Sequence, residues 1–291
     1  MMIHLNKYYY KNFNRKYAWV FFCSNSVTGF AKIVQHFSYS LIKMNIGASV
    51  ILKRNKSTNS KDTACRDLVL WGECLGSMVG SGRLTKIERN MIKLAPIQHS
   101  VIVGVLLSDG WLTMSTEKSL NARLGIKQSL AQSSYVFFVF NLLSHYCASA
   151  PSFTSSIRAG KLLYGVQLFT RSLPCFTELY SLFYYNKTKV IPVNIYDLLT
   201  PVALAHLIMG DGESRVSGLV LCTNSFTIQD VVRLMNVLII RYRLQCVLRL
   251  KQQNGKTEYL IYIRQASMLL LRSIVTLYMH PSMYYKLKIV T

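Results

Sequence analysis

Two segments far apart in the chain share one pattern, an apolar run that stops at Asp-Gly. The first is Ile102-Val103-Gly104-Val105-Leu106-Leu107-Ser108-Asp109-Gly110. The second is Leu204-Ala205-His206-Leu207-Ile208-Met209-Gly210-Asp211-Gly212. A carboxylate at the tip of a buried run is costly unless the tip emerges where something offsets its charge. Each run reads as a helix. Pro201, with Thr200 as cap, starts the second well, and Gly110 and Gly212 end the two. Two helices that approach closely need small residues at the contact; Gly104 and Ala205, next to Val103 and Ala203, supply them. Side-by-side packing then brings Asp109 and Asp211 together. Two adjacent carboxylates raise a pKa unless a cation neutralises them. Mg²⁺ fits such a place, because it takes one or two carboxylates and completes its shell with water and substrate phosphate.

The charge of the chain says what such a site faces. Lys and Arg number 34 against 12 Asp and Glu, a formal net charge of +22. An excess this large repels itself, which points to a polyanionic partner: nucleic acid first, an anionic membrane surface second. Mean hydropathy is +0.24, yet no stretch offers the roughly 18 uninterrupted apolar residues of a spanning helix. No membrane partner is expected. The seven cysteines form no Cys-x-x-Cys pair and no zinc spacing, and are read as reduced, packed thiols.

The chain divides into four stretches. Residues 1–65 form a basic extension with no acid before Asp62, and little order is expected there. The segment has the acid-free character of a mitochondrial transit peptide, but Arg15 and Arg54 are its only arginines. It reads also as a nucleic-acid-contacting arm, or as a translated leader with no folded role. Ser57 to Asp62 is a linker. Residues 66–95 are a lead-in that is Gly-rich around Gly72 to Gly82, without the Gly-Lys-Ser/Thr ending of a phosphate loop. A short helix over Thr85 to Leu94 ends at Pro96. Residues 96–190 and 191–291 are two copies of one plan: helix, two strands, helix, two strands, helix. Strands are read at Trp111 to Met114, Ala122 to Lys127, Ile157 to Arg158, Leu162 to Thr170, Gly218 to Thr223, Cys246 to Lys251 and Tyr259 to Arg264. Helices are read at Ser133 to Cys147, Phe176 to Tyr185, Thr227 to Tyr242 and Ser267 to Met279. The fold class is α+β, with two pseudo-twofold-related αββαββα units.

These residues carry a family resemblance. Val103 to Leu112 and Ala203 to Gly212 resemble the paired signatures of LAGLIDADG homing endonucleases, in the single-chain, two-motif form encoded by organellar group I introns. The resemblance runs from about Trp71 to Leu287. Asn121 to Ser129 and Phe169 to Pro174 are also similar to fungal mitochondrial members. It implies saddle-shaped antiparallel sheets lying along the major groove of double-stranded DNA with a long recognition site. It implies a monomer, an organelle-encoded mitochondrial protein, and a Mg²⁺-dependent phosphodiester hydrolase, with Mn²⁺ as the alternative ion.

By position, Asp109 and Asp211 are the metal acids, with the backbones of Ser108 and Gly210 beside the metals. Lys127 fits a basic outer-shell position, with Thr223 opposite it in the second copy. Arg171, and Lys256 or Arg264, fit the basic positions late in each unit; phosphate clamping explains these residues equally well. Arg123, Lys127, Arg158, Lys161, Arg215, Arg249, Lys251, Gln253 and Arg264 are expected to meet DNA phosphates or bases, and charge alone does not say which. His206 stands where the signature has Gly, and is read as a packed interhelical histidine rather than a ligand. Leu107 and Met209 replace the other Asp of the signature.

Two functions compete. One is a site-specific double-strand DNA endonuclease that promotes intron mobility. The other is an RNA-binding maturase that helps group I intron RNA to splice. A membrane-surface protein would explain the charge but not the paired Asp-Gly runs.

Overall fold

The computed structural model describes residues 76–114, 119–158, 160–253 and 255–289. The basic extension over residues 1–65, the Ser57 to Asp62 linker and Gly72 lie outside the described residues, as do the side chains of Arg158, Gln253 and Lys256. By contacts the chain divides into Met1–Arg66 and Asp67–Thr291, and the described residues all belong to the second unit.

Helix α1 (Lys86–Met91) is opened by a capping box between Thr85 and Glu88. It is shorter than its sequence pattern predicts. Pro96 does not end it but opens helix α2 (Pro96–Leu106) from the first turn, where its missing N–H costs nothing. The first half continues with β1 (Trp111–Met114), β2 (Ala122–Ser129), α3 (Ser133–Leu143), β3 (Ser152–Arg158), β4 (Lys161–Phe169) and α4 (Pro174–Phe183). A small ribbon, β5 (Tyr184–Tyr185) with β6 (Thr188–Lys189), and a short helix α5 (Ile195–Leu198) lead to the second half. That half is α6 (Pro201–Asp211), β7 (Gly212–Arg215), β8 (Gly218–Leu221), α7 (Ile228–Ile240), β9 (Cys246–Gln253), β10 (Lys256–Arg264) and α8 (Met268–Val275). The sheets run β1-β2-β4-β3 and β7-β8-β10-β9, antiparallel throughout. The αββαββα plan therefore occurs twice with one topology.

Boundaries differ from the sequence reading where pairing outlasts the apolar pattern. β2 continues through Gln128 and Ser129 because both pair with β4. β3 begins at Ser152, not Ile157, because the mostly polar Ser152-Phe153-Thr154-Ser155-Ser156 stretch is held by its ladder to β4. Lys256 belongs to β10, so the second hairpin turns more tightly than expected. The helix after β2 stops at Leu143 and gives way to a 3-10 turn over Ser144–Tyr146. Thr227 caps α7 by accepting from the Asp230 N–H.

α2 and α6 lie side by side at the centre, buried on every face over Ser100–Leu106 and Ala203–Met209. Gly104 permits the approach: a methyl there would strike the Ala203 carbonyl oxygen and lie 2.6 Å from His206 Cβ. The contact thus runs through Ala203 and His206, where the sequence pointed to Ala205. Each sheet has one buried face. Leu124, Ile126, Val166 and Leu168 in the first sheet, and Leu219, Leu221, Ile261 and Ile263 in the second, are almost wholly buried. Strand alternation turns their neighbours to the opposite face. Among the described residues no helix is long and apolar enough to cross a membrane.

Candidate active site and nucleic-acid face

The two motif helices end together. α2 closes in a tight turn, with the Gly110 N–H donating to Val105 O at 2.8 Å, and Asp109 sits in that turn. α6 runs one turn further, and Asp211 is its last residue. Gly210 packs directly on Ser108, and a Cβ on it would lie 3.3 Å from Asp109 Oδ2. The acids therefore share one end of the paired helices. Burial, and then the Asp109 charge, push the Asp211 carboxyl up to about 7, against the opposing pull of Lys189 and Lys286.

Two lysines brace this end. Lys189 Nζ donates to Ser108 O at 2.9 Å and to Gly110 O at 2.8 Å. Lys286 Nζ donates to Met209 O at 2.5 Å and to Gly210 O at 2.6 Å. Lys189 reaches its place through the β5–β6 turn, where Asn186 and Lys187 take positive φ of 48° and 63° and send the chain back on itself. Lys286 lies buried in a 3-10 turn over Pro281–Leu287. Burial lowers the Lys189 ammonium to about 8, and the two acids hold it from falling further. Lys286 is lowered for the same reason. Gln128 completes the cluster, donating from Nε2 to Asp109 Oδ2 at 2.5 Å.

Lys189, Lys286 and Gln128 were missed in the sequence. A signal for the lysines was present: each half ends in a Tyr-Tyr pair followed by alternating lysines, Tyr184-Tyr185 with Lys187 and Lys189, and Tyr284-Tyr285 with Lys286 and Lys288. Lys127 stays near the site. Ile126 faces Leu168 as Leu221 faces Ile261, so Lys127 and Cys222 hold the same position, and Gln128, next to Lys127 on β2, donates to Asp109. In the second half the Cys222 N–H donates to Asp211 O at 3.0 Å. The counterpart of Lys127 is thus Cys222, not Thr223, which is buried and donates to Tyr259 O.

Arg171 requires correction. Its guanidinium donates to the carbonyls of Met78, Ser81 and Gly82, so it clamps the lead-in to the first half rather than facing the acids. Nor are the Ser108 and Gly210 carbonyls uncommitted, since each accepts from a lysine. His206 is an interhelical packing residue, as expected. It is buried, hydrogen-bonded through Nδ1 to Tyr135 Oη at 3.1 Å, stacked on Phe138, and held neutral by burial with its pKa down to about 3.

The residue set suits a hard cation. Among the described residues no group of three or more His, Cys, Asp and Glu comes together. Two carboxylates at one helix end fit the one or two that Mg²⁺ takes, and a cation there would offset both the burial and the Asp109 charge that raise Asp211.

The described strand side chains expected to meet a polyanion fall on one face. Arg123, Lys127 and Lys161 share the parity of Gly125, Gln167 and Phe169 in the first sheet. Arg215, Arg249, Lys251 and Arg264 share that of Val220 and Tyr262 in the second. This is the face opposite the packed helices. Two of these cations are paired: Arg215 with Glu213 at 2.7 Å and Lys251 with Glu258 at 3.8 Å. Described cysteines are free thiols.

The profile of the LAGLIDADG DNA endonuclease family matches residues 99–271, more than half of the chain. The chain belongs to this family. The cytochrome b mRNA maturase bI2 of Debaryomyces hansenii is 31% identical to this LAGLIDADG protein over 194 residues, 64% of this chain and 72% of that one. The intron-encoded endonuclease ai4 of Dictyostelium discoideum is 39% identical over 121 residues, 41% of this chain and 75% of that protein. The bI2 maturase of Saccharomyces cerevisiae is 31% identical over 65% of this chain, a match that spans 46% of the yeast protein. The chain thus spans less than half the length of that relative. The solved structure of the homing endonuclease I-WcaI bound to its DNA recognition sequence matches with a TM-score of 0.65 at 23% identity, over 73% of this chain and 96% of that one. The α+β saddle fold is therefore shared.

Proposed function

We propose that this LAGLIDADG protein is a site-specific homing endonuclease that hydrolyses both strands of a long DNA site and so promotes intron mobility. The observation that carries this reading is the meeting of Asp109 and Asp211, braced by Lys189 and Lys286, between two sheets with one basic face each. Asp109 and Asp211 would hold divalent cations, Mg²⁺ first and Mn²⁺ as the alternative. Bound there, a cation supplies Lewis acidity and water of lowered pKa. The chain's own residues do the rest. Gln128 fixes the orientation of the Asp109 carboxylate. Lys189 and Lys286 hold the helix ends rigid and place two positive charges where phosphate negative charge increases in the transition state. Lys127, exposed beside Asp109, is placed to meet a phosphate. The basic faces position the duplex through its backbone.

The similarity to maturases in two yeasts supports a second activity on the same scaffold, assistance to group I intron RNA splicing. Both readings fit an organelle-encoded mitochondrial protein acting as a monomer. The deciding experiment incubates the full chain with Mg²⁺ and a plasmid carrying the intronless insertion site. Linear product is expected. Intact plasmid together with accelerated intron splicing would leave the maturase reading alone.

A further inference from the structure

The basic face contains two kinds of arginine. Arg215 is neutralised by Glu213. Arg249 makes no hydrogen bond or ion pair among the described residues, yet it is held in place. Its guanidinium lies 3.6 Å over the Tyr262 ring, and that ring is itself pinned: Tyr262 Oη donates to Ser217 O at 2.6 Å and bonds Ser217 Oγ at 3.0 Å. Stacking restricts the side chain while leaving the fork of N–H donors free at the guanidinium edge. An open hollow of about 550 Å³ adjoins it, lined also by Gln245, Arg264 and Gln265. Arg and Gln are the residues that bond bidentately to guanine and adenine edges in a major groove.

The first half repeats the device. Phe169 is the register counterpart of Tyr262, since Leu168 faces Ile126 as Ile261 faces Leu221. Arg123 lies 4.1 Å over its ring, Trp111 meets it edge-on, and the buried Arg123 Nε has no partner. Both arginines rest on aromatic anchors at equivalent places, although Arg123 comes from the inner strand β2 and Arg249 from the outer strand β9.

We propose that Arg249 on Tyr262 is a specificity-determining reader of guanine, with Arg123 on Phe169 as its counterpart in the other half-site, whereas Lys251 is a phosphate clamp. The proposal rests on the DNA-binding function above. It places a required G·C pair at one position of each half-site.

The test is selection of bound sequences from a randomised duplex library by the full chain and by its Arg249→Met, Tyr262→Leu, Tyr262→Phe and Lys251→Ala variants. The unmodified chain is expected to fix guanine at one position per half-site. Arg249→Met, which keeps the length and removes the donors, should flatten that preference at one position only, by on the order of tenfold. Tyr262→Leu should weaken the same position, and Tyr262→Phe should keep it because the ring remains. Lys251→Ala should lower binding evenly over all sequences. Survival of the guanine preference in Arg249→Met, or an even loss like that of Lys251→Ala, overturns the proposal. A flat profile from the unmodified chain would instead count against site-specific DNA binding as a whole. Arg249 is exposed, so its substitution tests the idea even if a Tyr262 variant fails to fold.

Discussion

Lys189 and Lys286 occupy matching places in the two halves, each bridging two backbone carbonyls at the end of one motif helix. One arrives on a two-stranded ribbon and the other in a 3-10 turn, so different local structures deliver one ammonium to one kind of site. Replacing either by Met should leave DNA binding nearly intact and slow cleavage by on the order of 10²-fold, the scale of losing one preorganised donor. Binding by gel shift and single-turnover cleavage, measured side by side, check this. Equal loss of both would show a scaffold role only.

Asp109→Asn and Asp211→Asn should each abolish double-strand cleavage while preserving DNA affinity, because in the proposed function these acids hold cations rather than the duplex. Plasmid linearisation read beside a binding titration tests the pair. Full cleavage by the double variant would remove the site assignment.

The Asp211 carboxyl carries a folded-state pKa of about 7, above its ordinary 3.8. A raised carboxylate pKa favours the folded state fully below pH 4, and that contribution is lost as pH rises to 7. The melting temperature of the metal-free protein should therefore fall across that window, and Asp211→Asn should flatten the fall. Added Mg²⁺ should raise the melting temperature more at pH 8 than at pH 5, since binding needs the ionised acid. A thermal-shift series in pH, with and without Mg²⁺, reads both effects.

Gly104→Val should destabilise the fold by about 1–3 kcal/mol, the usual cost of overpacking. The first added carbon already meets the backbone of Ala203 and the Cβ of His206, and backbone cannot swing aside as a side chain does. Denaturant unfolding of the variant measures the loss; an unchanged midpoint would mean the helices do not approach as described.

DNA affinity should fall steeply with salt, because a basic face that neutralises many phosphates releases as many counterions. Log affinity against log salt concentration should be linear with a large negative slope, and Lys251→Ala should reduce the slope by about one. A flat plot would argue against a nucleic-acid face.

The repeat, the two central helices and the pairing of Asp109 with Asp211 were legible in the sequence because they follow from local pattern: apolar runs, glycine stops and one plan used twice. Which face each strand residue takes became readable only once the ladders fixed where every strand begins. Lys189, Lys286 and Gln128 were not legible, because their value lies in what they touch far along the chain. Arg171 was misplaced on the same ground, since a basic residue at a plausible position says nothing of the carbonyls that will claim it. Strand limits also waited on the fold, as the polar start of β3 is a strand only because β4 supplies its ladder. The sequence alone determined the architecture and the two acids, both set by short-range periodicity. Only the tertiary structure decided which cations serve the acids, which clamp the scaffold and which rest on aromatic rings, because a long flexible side chain takes its role from the nearest unsatisfied partner in space.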